Sequence, residues 1–217
     1  MNTAKAKVAE AFAASKVIAI IRGMEPEVAV KLAESYCRGG IRLVEVTFAQ
    51  GGDPAPTVEA IKAIAQRLGD KMHVGAGTVL SAAQLDAAVS AGAEFMVTPN
   101  VNPEIIRRAN AAGLMTAPGA LTPTEIAAAH DAGADCVKVF PVRAFGPQYV
   151  RDVLAPLRDV KLVAVGGVNA ANAADYIAAG CVGIGASGAL CDKSLIADGD
   201  WGAIEVEARK IIAAVHI

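Results

Sequence analysis

Lys138 stands inside Val137-Lys138-Val139-Phe140-Pro141, a run whose other members suit a buried parallel strand. Taking an ammonium group out of water is costly. If Lys138 alternates with Cys136 and Phe140, it points to the inside of the sheet, where desolvation favours the neutral amine and leaves a nucleophile for a carbonyl carbon. A lysine snorkelling from a strand end is the plainer alternative, and the position inside the run argues against it. Glu45 poses the same problem in Leu43-Val44-Glu45-Val46-Thr47-Phe48. It shares a side with Leu43 and Thr47, and a carboxylate facing a lysine could move protons between a ligand and a bound water. A structural ion pair with Lys138 or Arg22 is the alternative, and such a pair would mark the same place.

Other residues end their runs on the same side. Arg22 closes Lys16-Val17-Ile18-Ala19-Ile20-Ile21-Arg22 and begins a loop; a guanidinium there fits a carboxylate, although a lone strand-end arginine is often only a solvated charge. Thr78 in GAGTV and Thr98-Pro99 in VTPN offer a hydroxyl and close backbone approach for positioning a ligand, and core packing explains them almost as well. Gly166-Gly167 and Gly185-Ala186-Ser187 let backbone N–H groups approach an oxyanion, to which a following helix would add its N-terminal dipole. They suggest a phosphate clamp. His73, His130 and His216 fall at a strand start, a helix end and the C-terminus, so no metal-binding cluster is expected, and a metal-dependent sugar-phosphate epimerase or divalent-metal aldolase is disfavoured. Asp53, Asp131 and Asp135 read as loop or cap residues.

These residues need elements to hold them. KVIAIIR, IRLVEVTF, MHVGAGTV, EFMVTP, LMTAPGA, DCVKVFP, KLVAVGG and CVGIGAS make eight strand candidates, separated by Ala- and Leu-rich helical segments such as PEVAVKLAESYCR and PTVEAIKAIAQRL. SAGAEFMV, AAGLMTA, DAGADCVKV and AAGCVGIG each place a glycine where a left-handed residue would stop a helix. Eight strand–helix units leave no room for a second domain, and right-handed crossovers would close them into a barrel spanning residues 1–217. An open doubly wound sheet is the runner-up. It is disfavoured because IIRGMEP lacks the Gly-x-Gly-x-x-Gly fingerprint, whereas Gly-rich stretches follow the seventh and eighth strands, where barrels bind phosphate.

With 217 residues, 54% apolar and 19% charged, the chain can bury one sizeable core. A net charge of -2 from intermixed signs gives no broad basic face, so nucleic acid is not an expected partner. The four cysteines lack metal-type spacing and read as small core residues, which fits a reducing compartment. MNTAKAKVAEAFAASKV reads as an amphipathic helix without a signal-peptide core, and no run approaches a membrane span. A soluble cytoplasmic protein is the expectation.

In this order and over nearly the whole chain, RLVEVTF, GAGTV, VTPN, VKVFP, AFGPQYV, AVGGVN and GASGAL resemble the KDPG/KHG aldolase family, the 2-keto-3-deoxy-6-phosphogluconate and 4-hydroxy-2-oxoglutarate aldolases. VTPN, AFGPQYV and AVGGVN are particularly similar to the related 6-phosphogalactonate aldolases. The resemblance implies an α/β fold, a (β/α)8 TIM barrel with an N-terminal helix. It implies a Schiff-base lyase that cleaves 2-keto-3-deoxy-6-phosphogluconate to pyruvate and glyceraldehyde 3-phosphate, with 4-hydroxy-2-oxoglutarate as a further substrate and the phosphogalactonate epimer as the alternative. Lys138 is then the Schiff-base lysine and Glu45 the general acid/base. Arg22 and Thr78 hold the pyruvyl carboxylate, Gly166, Gly167 and Ser187 form the phosphate site, and Pro99 and Phe140 complete the substrate-binding set. No metal or organic cofactor is implied, and family members are typically homotrimers.

Two positions depart from the phosphogluconate pattern, which often has arginine four residues after the glutamate and threonine before the Gly-Gly pair. This chain has Ala49 and Val165 there. Both changes leave the lysine chemistry intact and bear on substrate stereochemistry and phosphate dependence. Two competing readings keep the barrel without the imine: a metal-free phosphosugar isomerase or synthase, and a catalytically silent phosphometabolite-binding barrel. The silent barrel gains nothing from two buried charges.

Overall fold

A computed structural model describes residues 3–216. Nine strands, β1 (Val17–Arg22), β2 (Leu43–Thr47), β3 (His73–Gly77), β4 (Phe95–Val97), β5 (Met115–Ala117), β6 (Gly119–Ala120), β7 (Val137–Val139), β8 (Leu162–Val165) and β9 (Gly183–Ala186), form one parallel sheet in the order β5-β4-β3-β2-β1-β9-β8-β7-β6. All eight expected strands are present, but the fifth is split. Pro118, which has no N–H to give a ladder, separates β5 from β6. β5 pairs with β4 through Phe95 and Met115, and β6 pairs with β7 through Gly119 and Lys138. One bent segment therefore touches both ends of the sheet and closes it into a barrel.

Among the described residues ten helices surround the strands: α1 (Thr3–Ser15), α2 (Pro26–Arg38), α3 (Ala55–Leu68), α4 (Ala82–Ser90), α5 (Pro103–Ala111), α6 (Pro123–Asp131), α7 (Gly146–Leu154), α8 (Ala173–Ala178), α9 (Lys193–Ala197) and α10 (Trp201–Val215). Strand alternation divides the apolar residues between two cores. Val44, Val46, Val137 and Val139 face outward and pack with helix residues such as Leu32 and Ile61. Ile18, Ile20, Leu43, Phe95, Val97, Met115, Cys136, Val163 and Val165 fill the lumen, which Val8 and Phe12 of α1 close at the strand starts. Phe12 reaches this position because Gly183 has no side chain; a Cβ there would stand 2.5 Å from the ring. The C-terminal mouth stays open, the place where barrel sites form.

Several local signals behave as the sequence suggests. Gly92, Gly113, Gly133 and Gly180 all have positive φ just past their helices. Thr122 and Glu125 form a reciprocal capping box at the start of α6. Cys136 and Cys181 are buried, whereas Cys37 and Cys191 are only half-buried. Among the described residues, no helix is long and apolar enough to cross a membrane.

Candidate active site

Lys138 projects into the lumen on the side of Cys136 and is 6% exposed. Among the described residues it is the one lysine that is buried. Its Nζ lies 4.7 Å from the centre of the Phe140 ring. Burial pushes its pKa below the ordinary lysine value; the Glu45 carboxylate opposes that shift and the Arg22 guanidinium adds to it. Glu45 faces the same lumen from β2 and is 2% exposed. Burial raises its pKa, against the pull of Lys138 and Arg22. Among the described residues neither side chain forms an ion pair or hydrogen bond with protein, so the structural-pair alternative lacks a direct contact. Burial works toward the uncharged form of each, which suits an amine that acts as a nucleophile and a carboxyl group that exchanges protons beside it.

Gly77 of β3 makes room for Glu45. A Cβ at this glycine would lie 2.7 Å from Glu45 Oε1 and 2.7 Å from Thr47 Cγ2. Thr47 is fixed in turn, its Oγ1 donating to the Ile21 carbonyl at 3.2 Å. Arg22 ends β1 opposite Thr47 and is exposed at the mouth.

A cavity of about 680 Å³ opens there, lined by Arg22, Lys138, Phe140, Gly166, Gly167 and Ser187. Six of the nine sequence-predicted site residues thus line one space. Glu45 sits deeper, beside Lys138 and behind the wall. Thr78 and Pro99 lie outside it. Thr78 holds a left-handed conformation at φ 58, unusual for a β-branched residue, and its carbonyl accepts from Gln50 Nε2 at 3.0 Å. Pro99 and Thr98 pack on Gly119, where a Cβ would meet the Pro99 backbone at 2.6 Å, so packing accounts for the VTPN turn.

The glycine loops are folded in advance. Gly166 and Gly167 take φ values of 102 and 84, open to glycine and strained for other residues. Asn172 Nδ2 donates to the Gly167 carbonyl at 3.1 Å, and Asn172 Oδ1 accepts from the Asn169 N–H at 2.8 Å. Among the described residues the N–H groups of Gly166 and Gly167 have no protein acceptor and are left for a ligand. The expected helix dipole is a weaker contribution than the sequence suggested. α8 has only six residues and starts at Ala173, and β9 is followed by a 3-10 turn, Gly188–Cys191. Loop N–H groups, rather than long helices, dominate this end of the cavity. His73 pairs with Glu94 at 2.8 Å at a strand start, away from the mouth.

Residues 8–206 match the family model for KDPG and KHG aldolase. The chain belongs to this family. It is 41% identical over 170 residues to the 2-dehydro-3-deoxy-6-phosphogalactonate aldolase of Escherichia coli (strain K12), covering 78% of this chain and 81% of that protein. It is 34% identical over 209 residues to the 2-dehydro-3-deoxy-phosphogluconate aldolase of Treponema pallidum (strain Nichols), covering 96% and 97%. The structure superposes with a TM-score of 0.83 and 27% identity on the KDPG aldolase of Legionella pneumophila with pyruvate captured at low pH as a covalent carbinolamine intermediate, covering 93% of this chain and 96% of that one. In this aldolase the cavity wall also holds residues that the sequence did not single out, Arg143, Asn169 and Glu207. Signals were available for two of them: Arg143 follows the lysine strand by a few residues, in a loop that must open on the mouth, and Asn169 ends the AVGGVN stretch.

Proposed function

We propose that this aldolase cleaves a 2-keto-3-deoxy-6-phospho sugar acid through a Schiff base on Lys138, with 2-keto-3-deoxy-6-phosphogalactonate as its preferred substrate. The observation that carries the reading is a buried lysine with no hydrogen-bond or ion-pair partner among the described residues, lining the same cavity as the Gly166–Gly167 turn with its unused backbone N–H groups. Pyruvate in the Legionella pneumophila enzyme is held as a carbinolamine, the adduct of an amine and a ketone. Lys138 is the buried amine available for that chemistry here.

In the proposed cycle the neutral Lys138 amine adds to the C2 ketone, and loss of water gives a protonated imine that accepts electrons from the C3–C4 bond. Glu45, through a bound water, takes the proton of the C4 hydroxyl. The bond breaks and glyceraldehyde 3-phosphate leaves. The remaining enamine takes a proton at C3, and hydrolysis of the imine releases pyruvate and restores the amine. Arg22 pairs with the substrate carboxylate and Phe140 covers the imine. The Gly166, Gly167 and Ser187 loops receive the phosphate. Thr78 and Pro99 shape the mouth from outside the wall. The chain is taken to work as one domain, residues 1–217, in a cytoplasmic homotrimer.

Preference for the galactonate epimer rests on the higher identity to that relative and on Ala49 and Val165, which depart from the phosphogluconate pattern. The gluconate epimer is the second reading, supported by a 34% match over almost the full chain. Steady-state cleavage of both 6-phospho epimers and of 4-hydroxy-2-oxoglutarate tests the proposal. The galactonate epimer is expected to show the highest kcat/KM. Failure to release pyruvate from either phosphorylated epimer would refute it.

A further inference from the structure

Arg143 lies in a one-turn 3-10 helix, Val142–Ala144, after β7, and lines the same cavity as Gly166, Gly167 and Ser187. Its side chain runs along the glycine turn. A Cβ at Gly167 would stand 3.0 Å from Arg143 Cβ and 3.3 Å from its Nε. Among the described residues the Arg143 guanidinium has no carboxylate and no hydrogen-bond acceptor, whereas Arg38, Arg67, Arg108 and Arg209 each hold a carboxylate. The carboxylate in the cavity wall, Glu207, is taken by Lys210 at 2.6 Å.

The wall therefore carries two separate guanidinium groups. Arg22 lies close enough to Lys138 and Glu45 to act on the charge of both, whereas Arg143 lies on the Gly167 turn. A ligand that satisfies both must carry two anionic groups. Neutral N–H donors alone leave a phosphate dianion short of the compensation that water gives it, and a guanidinium supplies it in a fork that matches two phosphate oxygens.

We propose that Arg143 is a further substrate-binding residue, pairing with the phosphate group seated on the Gly166–Gly167 turn and so setting the preference for phosphorylated over unphosphorylated substrates. The inference rests on the reading of the cavity as a keto-acid phosphate site. Arg143 lies folded onto Gly167 and covers the turn it serves.

Glycerol 3-phosphate binding, followed by calorimetry in the wild type, Arg143→Gln and Arg143→Lys, reads this end of the cavity without turnover. Loss of one charge-assisted contact should weaken binding in Arg143→Gln by about 10- to 100-fold, with Arg143→Lys recovering part of it. The KM ratio of unphosphorylated 4-hydroxy-2-oxoglutarate to the phosphorylated substrate should fall by a similar factor in Arg143→Gln. Pyruvate trapping by borohydride, run on the same proteins, reports on Lys138 separately. Unchanged glycerol 3-phosphate affinity in Arg143→Gln, with trapping intact, overturns the assignment and leaves the Schiff-base reading standing. Loss of trapping together with binding in that variant also overturns it, because Arg143 would then be supporting the whole site. A wild type that fails to trap pyruvate sinks the parent reading, while the affinity difference still decides the role of Arg143.

Discussion

Gly77 and Glu45 occupy each other's space across two neighbouring strands: the position a Gly77 Cβ would fill is 2.7 Å from Glu45 Oε1. The carboxylate can stand in the lumen beside Lys138 only because β3 presents no side chain there. Gly75, two residues earlier on the same strand, makes room for the Phe95 ring instead, with a Cβ-to-ring distance of 2.5 Å. One glycine serves the site, and the other serves the core.

The two glycines should therefore fail differently when substituted. Gly77→Ala should displace the Glu45 carboxylate and lower kcat by about 10²-fold, the lower end for a lost acid–base group, while pyruvate trapping at Lys138 survives. Gly75→Ala should cost stability, about 1–3 kcal/mol for overpacking, and leave kcat closer to the parent value. Turnover and thermal melts of the two variants check this. A Gly77→Ala enzyme that is folded and turns over normally would contradict it.

Glu45 also sets the pH at which Lys138 becomes reactive. Burial pulls the Lys138 pKa below the ordinary 10.5, and the Glu45 charge holds it back. Glu45→Gln removes that hold, so the pH profile of pyruvate trapping should shift to lower pH, even as turnover falls by about 10²–10⁴-fold. The rate of borohydride inactivation against pH, for parent and variant, gives the direction. A shift to higher pH would contradict it.

The lumen charges should lower stability. The lysine pKa is depressed, so its contribution to stability is fully present only above the unfolded value and is lost as pH falls through the folded value. The glutamate pKa is raised, so its contribution is present below the unfolded value and is lost as pH rises through the folded one. At neutral pH both groups work against the fold. A Lys138→Met, Glu45→Leu double variant should be inactive and more stable than the parent by about 1–4 kcal/mol, the range found when well-packed apolar residues replace buried charged groups. Chemical denaturation at pH 7 measures this; a double variant less stable than the parent would refute it.

Much of this fold can be read from the sequence because parallel strands buried on both faces are near-continuous apolar runs, and because glycines with positive φ mark where helices stop. Lys138 and Glu45 are legible for the same reason, as charges inside such runs. The break at Pro118 is not, since a proline there reads as the end of a strand as easily as a bend within one. Strand-end position could not decide that Thr78 and Pro99 fall outside the cavity wall, because it does not say where a side chain turns. Arg143 reads as one more solvated loop charge until Gly167 is found beneath it. The room that Gly77 leaves for Glu45 depends on the register between β2 and β3, in which Thr47 pairs with Gly77, and register is a property of the folded sheet.

Reductive trapping tests directly whether Lys138 forms the imine. The enzyme is incubated with pyruvate and sodium borohydride, digested, and its peptides are mapped by mass. A single stable reduced adduct is expected on Lys138, formed in step with loss of activity and absent from Lys138→Met. An unmodified Lys138 in a fully inactivated enzyme, or an adduct on another lysine, would contradict it.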